Sequence, residues 1–132
     1  ILLDASAVLG YLQQEPGWEI VATQILKGQA SICVVNQAEV LSKLCEWGMT
    51  WQEAQKAVDK LALQLEPFAA DTALEVARLR PLTRKLGLSL GDRACLATAR
   101  LRQCPVVTGD RPWLQIADSL DLNIACFRPP AH

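Results

Sequence analysis

Apolar residues in this chain occur in two patterns: short unbroken runs, and longer stretches in which they recur every three or four positions. The short runs are bounded by polar or turn-forming residues, and they predict five strands. These strands cover residues 1–3, 31–35, 65–69, 105–108 and 122–127, the third being the weakest because Pro67 interrupts it. Because the strands are apolar throughout rather than alternating, they predict a sheet covered on both faces.

The stretches with helical periodicity lie between these strands, and most of them stop at a glycine or a proline. The predicted helices cover residues 5–14, 18–27, 38–47, 50–63, 71–86, 89–103 and 112–120. Thr50 and Glu53 form a capping-box pattern at the start of the fourth helix, whereas Pro81 is expected to kink or break the fifth. Strands that alternate with helices predict an α/β fold, a three-layer α/β/α sandwich with a mostly parallel central sheet, in one domain over residues 1–132.

Composition and cysteine usage narrow the class of protein. Hydrophobic residues make up 51% of the 132 positions and charged residues 20%, as in ordinary globular domains. No apolar run approaches the roughly 18 residues that a membrane helix needs, so no membrane contact is expected. Five cysteines without a C-x-x-C pair, and one histidine, argue against a disulfide framework or a zinc site and indicate a reducing, cytoplasmic compartment.

Charge is distributed unevenly between the two halves of the chain. Residues 1–77 carry ten acidic and four basic residues, whereas residues 78–132 carry four acidic and nine basic ones. A phosphate backbone lying against the second half would explain this bias, and so would an ordinary solvated helix face.

Four acidic residues occupy the junctions between predicted strands and helices. They are Asp4, Glu39, Asp92 and Asp110. Each one alone has the position of a helix cap or of an acid that gains from the helix dipole. Together they would meet at the carboxyl edge of a parallel sheet, where ligands gather, and would repel one another unless a cation compensates. An oxygen-only set of donors suits Mg²⁺ or Mn²⁺.

Small polar residues accompany these acids and are candidates for orienting the ligands, a bound water or the substrate. They are Ser6, Asn36, Ser89 and Thr108. A second group of acids lies on the outer stretches of amphipathic helices and is predicted to face solvent. This group comprises Glu53, Asp59, Asp71 and Glu75.

The segments around the four acids resemble those of the PIN-domain ribonucleases, and most closely the VapC-type toxins of bacterial and archaeal toxin–antitoxin pairs. Four motifs carry the resemblance: Leu2-Leu3-Asp4-Ala5-Ser6-Ala7, Asn36-Gln37-Ala38-Glu39-Val40, Gly87-Leu88-Ser89-Leu90-Gly91-Asp92 and Thr108-Gly109-Asp110-Arg111-Pro112-Trp113. Each motif is weak alone, but all four in this order and spacing cover essentially the whole chain. Two departures are minor: Ala5 stands where the family often has Thr or Ser, and Arg93 where a small residue is commoner.

The resemblance implies a single PIN domain, residues 1–132, that hydrolyses RNA phosphodiester bonds with one or two Mg²⁺ or Mn²⁺ ions. The metal would be held by Asp4, Asp92 and Asp110. Glu39 would position or deprotonate the attacking water. The implied partners are the RNA substrate, a cognate antitoxin protein and a second copy of the chain in a homodimer.

Two groups of residues have more than one interpretation at this point. The possible contacts to the RNA backbone are Arg84, Lys85 and Arg93. For the third of these, a pair with Glu39 is the alternative. An otherwise aromatic-poor chain also places three large apolar residues around the break between two predicted helices, either as a surface for a partner or as ordinary packing. These are Trp47, Met49 and Trp51.

Three other functional classes are alternatives to a ribonuclease. A receiver-type phosphoacceptor domain would need a Lys after a late strand, where this chain has Arg111 and Pro112. A structure-specific DNA nuclease would need extra helical clamps, for which the chain has no room. A catalytically silent PIN-like module that binds RNA or protein stays open, and metal-dependent turnover would separate it from the enzyme.

Overall fold

The computed structural model describes residues 1–130; Ala131 and the single histidine, His132, lie outside the described part. The strands are β1 Leu2–Leu3, β2 Ser31–Cys33, β3 Gln64–Glu66, β4 Val106–Thr108 and β5 Ile124–Cys126. The α-helices are α1 Ala5–Leu12, α2 Trp18–Leu26, α3 Val34–Glu46, α4 Trp51–Asp59, α5 Ala70–Thr83 and α6 Leu90–Arg102. Two 3₁₀ helices cover Arg84–Leu86 and Arg111–Ile116. Within residues 1–130, none of the helices is both long and apolar enough to cross a membrane.

The five strands form one parallel sheet in the order β3-β2-β1-β4-β5. β1 is therefore the central strand, with Leu3 paired to Ile32 on one side and to Val107 on the other. The α/β fold with a parallel central sheet is confirmed. This order places the carboxyl ends of β1 and β4 side by side, so the residues that follow these two strands become neighbours.

Consecutive residues of β1, β2 and β4 enter different hydrophobic cores, because side chains alternate between the two faces of a sheet. Leu2 and Val106 belong to a core with α5 and α6, whereas Leu3 and Val107 belong to one with α1 to α4. Helices thus cover both faces, as the unbroken apolar runs predict. The three-layer arrangement leaves only the edges of the sheet open to solvent.

Several predicted boundaries differ from the structure; the third strand, for example, covers Gln64–Glu66 rather than residues 65–69, and the fourth helix ends at Asp59 rather than at 63. Residues 34 and 35 are the first turn of α3 rather than the end of β2, because the helix begins as soon as the chain leaves the sheet at Cys33. α5 continues two residues past Pro81 and gives way to a 3₁₀ turn after Thr83, whose hydroxyl donates to the Leu79 carbonyl at 2.8 Å. The last predicted helix is a 3₁₀ helix that ends at Ile116.

Glu75 does not face solvent, and that prediction was wrong. Its side chain is only 8% exposed and is paired with Arg78 at 3.4 Å and with Arg100 of α6 at 3.3 Å. Helical periodicity assigned Glu75 to the outside, but two guanidinium groups compensate its charge and let α5 and α6 pack over it. Part of the basic excess in the second half of the chain therefore has a structural role.

Candidate active site

Asp4 lies at the carboxyl end of the central strand and caps α1. Its carboxylate is buried and accepts three hydrogen bonds: Oδ1 from the Ala7 backbone N–H at 2.9 Å and the Ser6 hydroxyl at 2.7 Å, Oδ2 from the Thr108 hydroxyl at 2.6 Å. The cap is the ordinary role that its position predicts. Two bonds to hydroxyls from different segments go beyond what a cap requires and fix both oxygens.

Burial raises the pKa of Asp4 from 3.8 to about 6, although the bonds from Thr108, Ser6 and Ala7 act in the opposite direction. The negative charge of Asp92 raises this pKa further, so the two carboxylates are near enough to repel each other. Beneath them the buried thiol of Cys95 has a raised pKa, first from desolvation and then from the charge of Asp4. A desolvated carboxylate beside a second one is a position at which a cation is favoured.

Ser6 and Thr108 join the segment after β1 to the segment after β4. The Thr108 hydroxyl donates to Asp4 and accepts from the Asp110 backbone N–H at 3.0 Å, while the Ser6 hydroxyl donates to Asp4 and accepts from the Gly109 N–H at 2.8 Å. Each hydroxyl therefore acts as both donor and acceptor. The pair connects the backbone of the half-buried Asp110 to Asp4 through Thr108, and the Asp110 side chain makes no capping bond to the helix after it.

Asp92 lies in the first turn of α6, where Ser89 is the N-cap. The Ser89 hydroxyl accepts from the Asp92 N–H at 3.1 Å, and the Asp92 carboxylate accepts from the Ser89 N–H at 3.1 Å. The capping box read from the sequence is present. Because α6 begins at the same edge of the sheet, the cap places Asp92 at the edge where Asp4 lies, with its carboxylate turned back to Ser89.

Glu39 lies in the second turn of α3 and rests against the start of α6. Asn36 does not cap α3, contrary to the capping-box pattern, since the helix begins two residues earlier. The buried Asn36 amide instead donates to Glu39 Oε1 at 2.7 Å and to the Gly91 carbonyl at 3.0 Å. A Cβ on Gly91 would lie 2.5 Å and 2.6 Å from the two oxygens of Glu39. The Glu39 carboxylate therefore occupies the space that a side chain at position 91 would fill.

The three basic candidates differ in their surroundings. Arg84 and Lys85 are exposed in the 3₁₀ turn that leads to Ser89, the N-cap of the helix that carries Asp92. Arg93 donates to the Val76 carbonyl at 3.4 Å, while its Nε is buried and has no partner among residues 1–130. Neither a pair with Glu39 nor a free surface cation describes Arg93 in this conformation.

The donor chemistry of the four acids fits a hard divalent cation, since all the groups are carboxylates and the central one is desolvated. The side chains are not arranged as a ready-made site: within residues 1–130, no three His, Cys, Asp or Glu side chains form a group that could hold a metal ion. Asp4, Glu39 and Asp92 accept local hydrogen bonds instead. Binding a metal here requires the side chains of Asp92 and Asp110 to turn toward the fixed carboxylate of Asp4.

Two other surface features lie apart from the acids. A cavity of about 550 Å³ lies at the opposite edge of the sheet, between the end of α6 and the amino ends of β4 and β5, and it contains none of the four acids. The three large apolar residues of the α3–α4 turn are exposed, with 41% to 69% of their surface accessible. They are Trp47, Met49 and Trp51. Their exposure shows that none of the three is a core residue.

The sequence placed the four acids and their polar neighbours at one edge of the sheet, but it did not single out two residues next to them, Gly91 and Arg128. Gly91 appeared only as part of a motif, although a glycine inside a helix costs about 1 kcal/mol relative to alanine and so calls for a reason. Arg128, which donates to the carbonyl beside Asp110, gave no signal because it lies in a short irregular segment after β5.

Comparison with known proteins gives one family and a set of similar structures. The family model described as "PIN domain" matches residues 1–119. No curated protein sequence matches the chain.

Three crystal structures illustrate the likeness in fold. A chain in VapBC2 from Rickettsia felis, bound to a DNA fragment from its promoter, is 14% identical with a TM-score of 0.72, over 95% of this chain and 96% of that one. A chain in VapBC-1 from nontypeable Haemophilus influenzae is 15% identical with a TM-score of 0.72, over 96% of both chains. VapBC-5 from Mycobacterium tuberculosis, a member of the VapBC family of toxin–antitoxin systems, is 23% identical with a TM-score of 0.56, over 76% and 82%.

Proposed function

Because this chain belongs to the PIN domain family, we propose that it is a divalent-metal-dependent endoribonuclease and the toxin of a toxin–antitoxin pair. The observation that carries the proposal is the buried carboxylate of Asp4, whose two oxygens are fixed by Ser6 and Thr108 and whose charge is opposed by Asp92. A fold that only had to be stable would not keep a desolvated acid with a second acid beside it.

The residues have separate roles in this proposal. Asp4, Asp92 and Asp110 would hold one or two Mg²⁺ or Mn²⁺ ions, which when bound supply a nucleophilic water of lowered pKa and neutralise charge on the scissile phosphate. Glu39 would position or deprotonate that water through Oε2, because Oε1 accepts a hydrogen bond from Asn36. Ser6 and Thr108 keep Asp4 from turning away, and Asn36 does the same for Glu39. Ser89 fixes the first turn of α6, from which the Asp92 side chain would turn toward the metal.

The test of the enzyme is cleavage of a cellular RNA pool by the purified chain, with Mg²⁺, with Mn²⁺ and with EDTA. We expect discrete fragments that appear only with a divalent metal and that identify the RNA that is cut. If the folded protein, freed of any bound partner, cleaves nothing under any of these metals but still binds RNA, the binding-only interpretation replaces the enzyme.

RNA binding by this edge of the protein should depend steeply on salt. Arg84 and Lys85 are exposed in the turn before α6, and Arg93 would join them by releasing the Val76 carbonyl. Three contacts to a single-stranded backbone would give a slope of log K against log salt of about −2. The double variant Arg84→Gln/Lys85→Gln should make the slope shallower by about 1.4, measured by fluorescence anisotropy on a short RNA in EDTA.

The matched control for this measurement removes two lysines from the opposite edge of the sheet. Lys27 and Lys60 lie at the ends of α2 and α4, before the amino ends of β2 and β3. Lys27→Gln/Lys60→Gln should keep the wild-type slope. Equal slopes in the two double variants would show that RNA does not lie along the residues proposed.

The partners also belong to the proposal. A cognate antitoxin and a second copy of this chain are proposed because similar structures are toxin–antitoxin complexes and because Trp47, Met49 and Trp51 are exposed. Aromatic and Met side chains are enriched at protein interfaces. Light scattering should give twice the 14.5 kDa mass of the chain if it forms a homodimer, and a mass of 14.5 kDa at micromolar concentration would contradict this.

A further inference from the structure

The segment after β5 is packed against the loop that carries Asp110. Phe127 is buried, and its backbone N–H donates to the Thr108 carbonyl at 2.9 Å. Three glycines face it, and a Cβ on any of them would overlap Phe127. At Gly10 and Gly109 the overlap is with the ring, at 2.4 Å and 2.7 Å, and at Gly17 it is with the carbonyl oxygen, at 1.9 Å. The packing is close enough that this segment and the loop hold one another in place.

Arg128, the next residue, contacts two other parts of the chain through its guanidinium. Its Nε and Nη2 each lie 3.0 Å from Glu15 Oε2, in the turn after α1, and its Nη1 donates to the Gly109 carbonyl at 3.1 Å. Arg111 in turn donates to the Arg128 carbonyl at 2.7 Å. The planar fork of an arginine suits such simultaneous contacts, whereas a lysine has a single charged nitrogen.

The contact to Gly109 matters because of what lies on either side of it. The Gly109 N–H is bound by Ser6, which also holds Asp4, and the Gly109 carbonyl is bound by Arg128. Both backbone polar groups of the residue before Asp110 are thus fixed, one from each side. The Gly109 carbonyl and the Asp110 nitrogen form one planar peptide unit. A hydrogen bond that fixes this carbonyl therefore also fixes the orientation of the peptide from which Asp110 follows.

We propose that Arg128 is a positioning residue, which holds the Gly109 peptide so that the Asp110 carboxylate can meet a metal ion held by Asp4. The inference rests on the proposed function. A purely structural role is a poor account of this ion pair, because its side chains are 44% and 29% exposed and such pairs contribute little to stability. Loss of Arg128 should therefore appear in metal binding rather than in the stability of the fold.

The experiment compares Arg128→Ala and Arg128→Lys with Arg102→Ala. Arg102 forms an ion pair of the same 3.0 Å length with Glu66, on the end of α6 remote from the acids, and is the matched control. Mn²⁺ affinity is measured by calorimetry, urea unfolding is followed for each variant, and hydrogen exchange reports on the Asp110 amide. Removing a group that orients a metal ligand weakens affinity by roughly 10-fold to 100-fold.

We expect Arg128→Ala to weaken Mn²⁺ binding by about 10-fold and to speed exchange of the Asp110 amide, with unfolding close to wild type. Arg128→Lys should recover only part of the affinity, and Arg102→Ala should change neither property. If wild type binds Mn²⁺ and Arg128→Ala binds it equally well, the inference fails while the proposed function stands. If wild type binds no Mn²⁺, the proposed function fails and the inference fails with it.

Discussion

Replacement of Asp4 by asparagine should abolish RNA cleavage and, in the same protein, stabilise the fold at neutral pH. The loss of activity follows from removing the central charge that would hold the metal. A metal ion contributes several kcal/mol to charge stabilisation in the transition state, so the rate should fall by about 10³-fold or more. Cleavage is measured under single-turnover conditions with saturating RNA and Mg²⁺.

The gain in stability follows from the raised pKa of Asp4. A carboxyl group whose pKa is higher in the folded state than in the unfolded state binds its proton more tightly when folded. Its contribution to stability is therefore fully present below about pH 3.8 and is lost as the pH rises through about 6. The asparagine variant has no such loss, so its advantage over wild type should grow between these pH values.

The size of the gain has an upper limit set by the same pKa. A change from 3.8 to about 6 corresponds to about 3 kcal/mol. Asparagine keeps one acceptor oxygen for Ser6 and Ala7, but its amide nitrogen must then donate to Thr108, whose own hydroxyl proton loses its acceptor. An unsatisfied buried hydroxyl costs about 1 kcal/mol or more, so we expect a net gain of up to about 2 kcal/mol at pH 7.

Urea unfolding in EDTA at several values between pH 4 and pH 7 measures the effect. Asp121→Asn is the matched control, because Asp121 is exposed at the opposite edge of the sheet and its positive φ suits asparagine. This control should leave both cleavage and stability unchanged. A variant at Asp4 that keeps wild-type activity would sink the assignment of the metal site, and one that is less stable than wild type at every pH would contradict the account of its pKa.

Gly91→Ala should reduce cleavage by about 10-fold to 100-fold without destabilising the protein, because the new methyl group occupies the space of the Glu39 carboxylate. Gly91 has no positive φ and lies inside α6. Alanine there should favour the helix by up to about 1 kcal/mol. The side chain of Glu39 is exposed and able to move aside, so the overlap displaces the carboxylate rather than the backbone.

A double-mutant cycle separates this mechanism from a general disturbance of α6. Cleavage is measured for Gly91→Ala, for Glu39→Ala and for the two together. If the glycine acts only through Glu39, the second substitution has no further effect on the rate once Glu39 is gone. Additive losses of rate would instead mean that Gly91 supports Asp92 or the helix itself.

Much of this protein was determined by local patterns that a sequence displays. The unbroken apolar runs predicted a sheet covered on both faces, because a residue at any position of such a strand must meet a core. The positions of the acids at strand–helix junctions predicted that they lie at one edge of the sheet, since parallel strands bring their carboxyl ends to one edge. The capping box of Ser89 and Asp92 was also legible, because its two hydrogen bonds join residues three positions apart.

The rest was decided by contacts between residues far apart in the chain, which local patterns do not contain. The sequence predicted that Asn36 caps α3, but α3 begins two residues before it. Its side chain instead donates to Glu39 and to Gly91, which lies 55 residues further along the chain. Glu75 was predicted to be exposed, but it is buried because Arg100 of α6 pairs with it in addition to Arg78. The buried environment that raises the pKa of Asp4 exists only once β1 and β4 are paired. The same pairing lets the Thr108 hydroxyl donate to Asp4, 104 residues away in the chain. The sequence therefore indicated which acids lie at one edge of the sheet. Tertiary packing decided which hydrogen bonds each acid accepts and how far burial raises the pKa of Asp4.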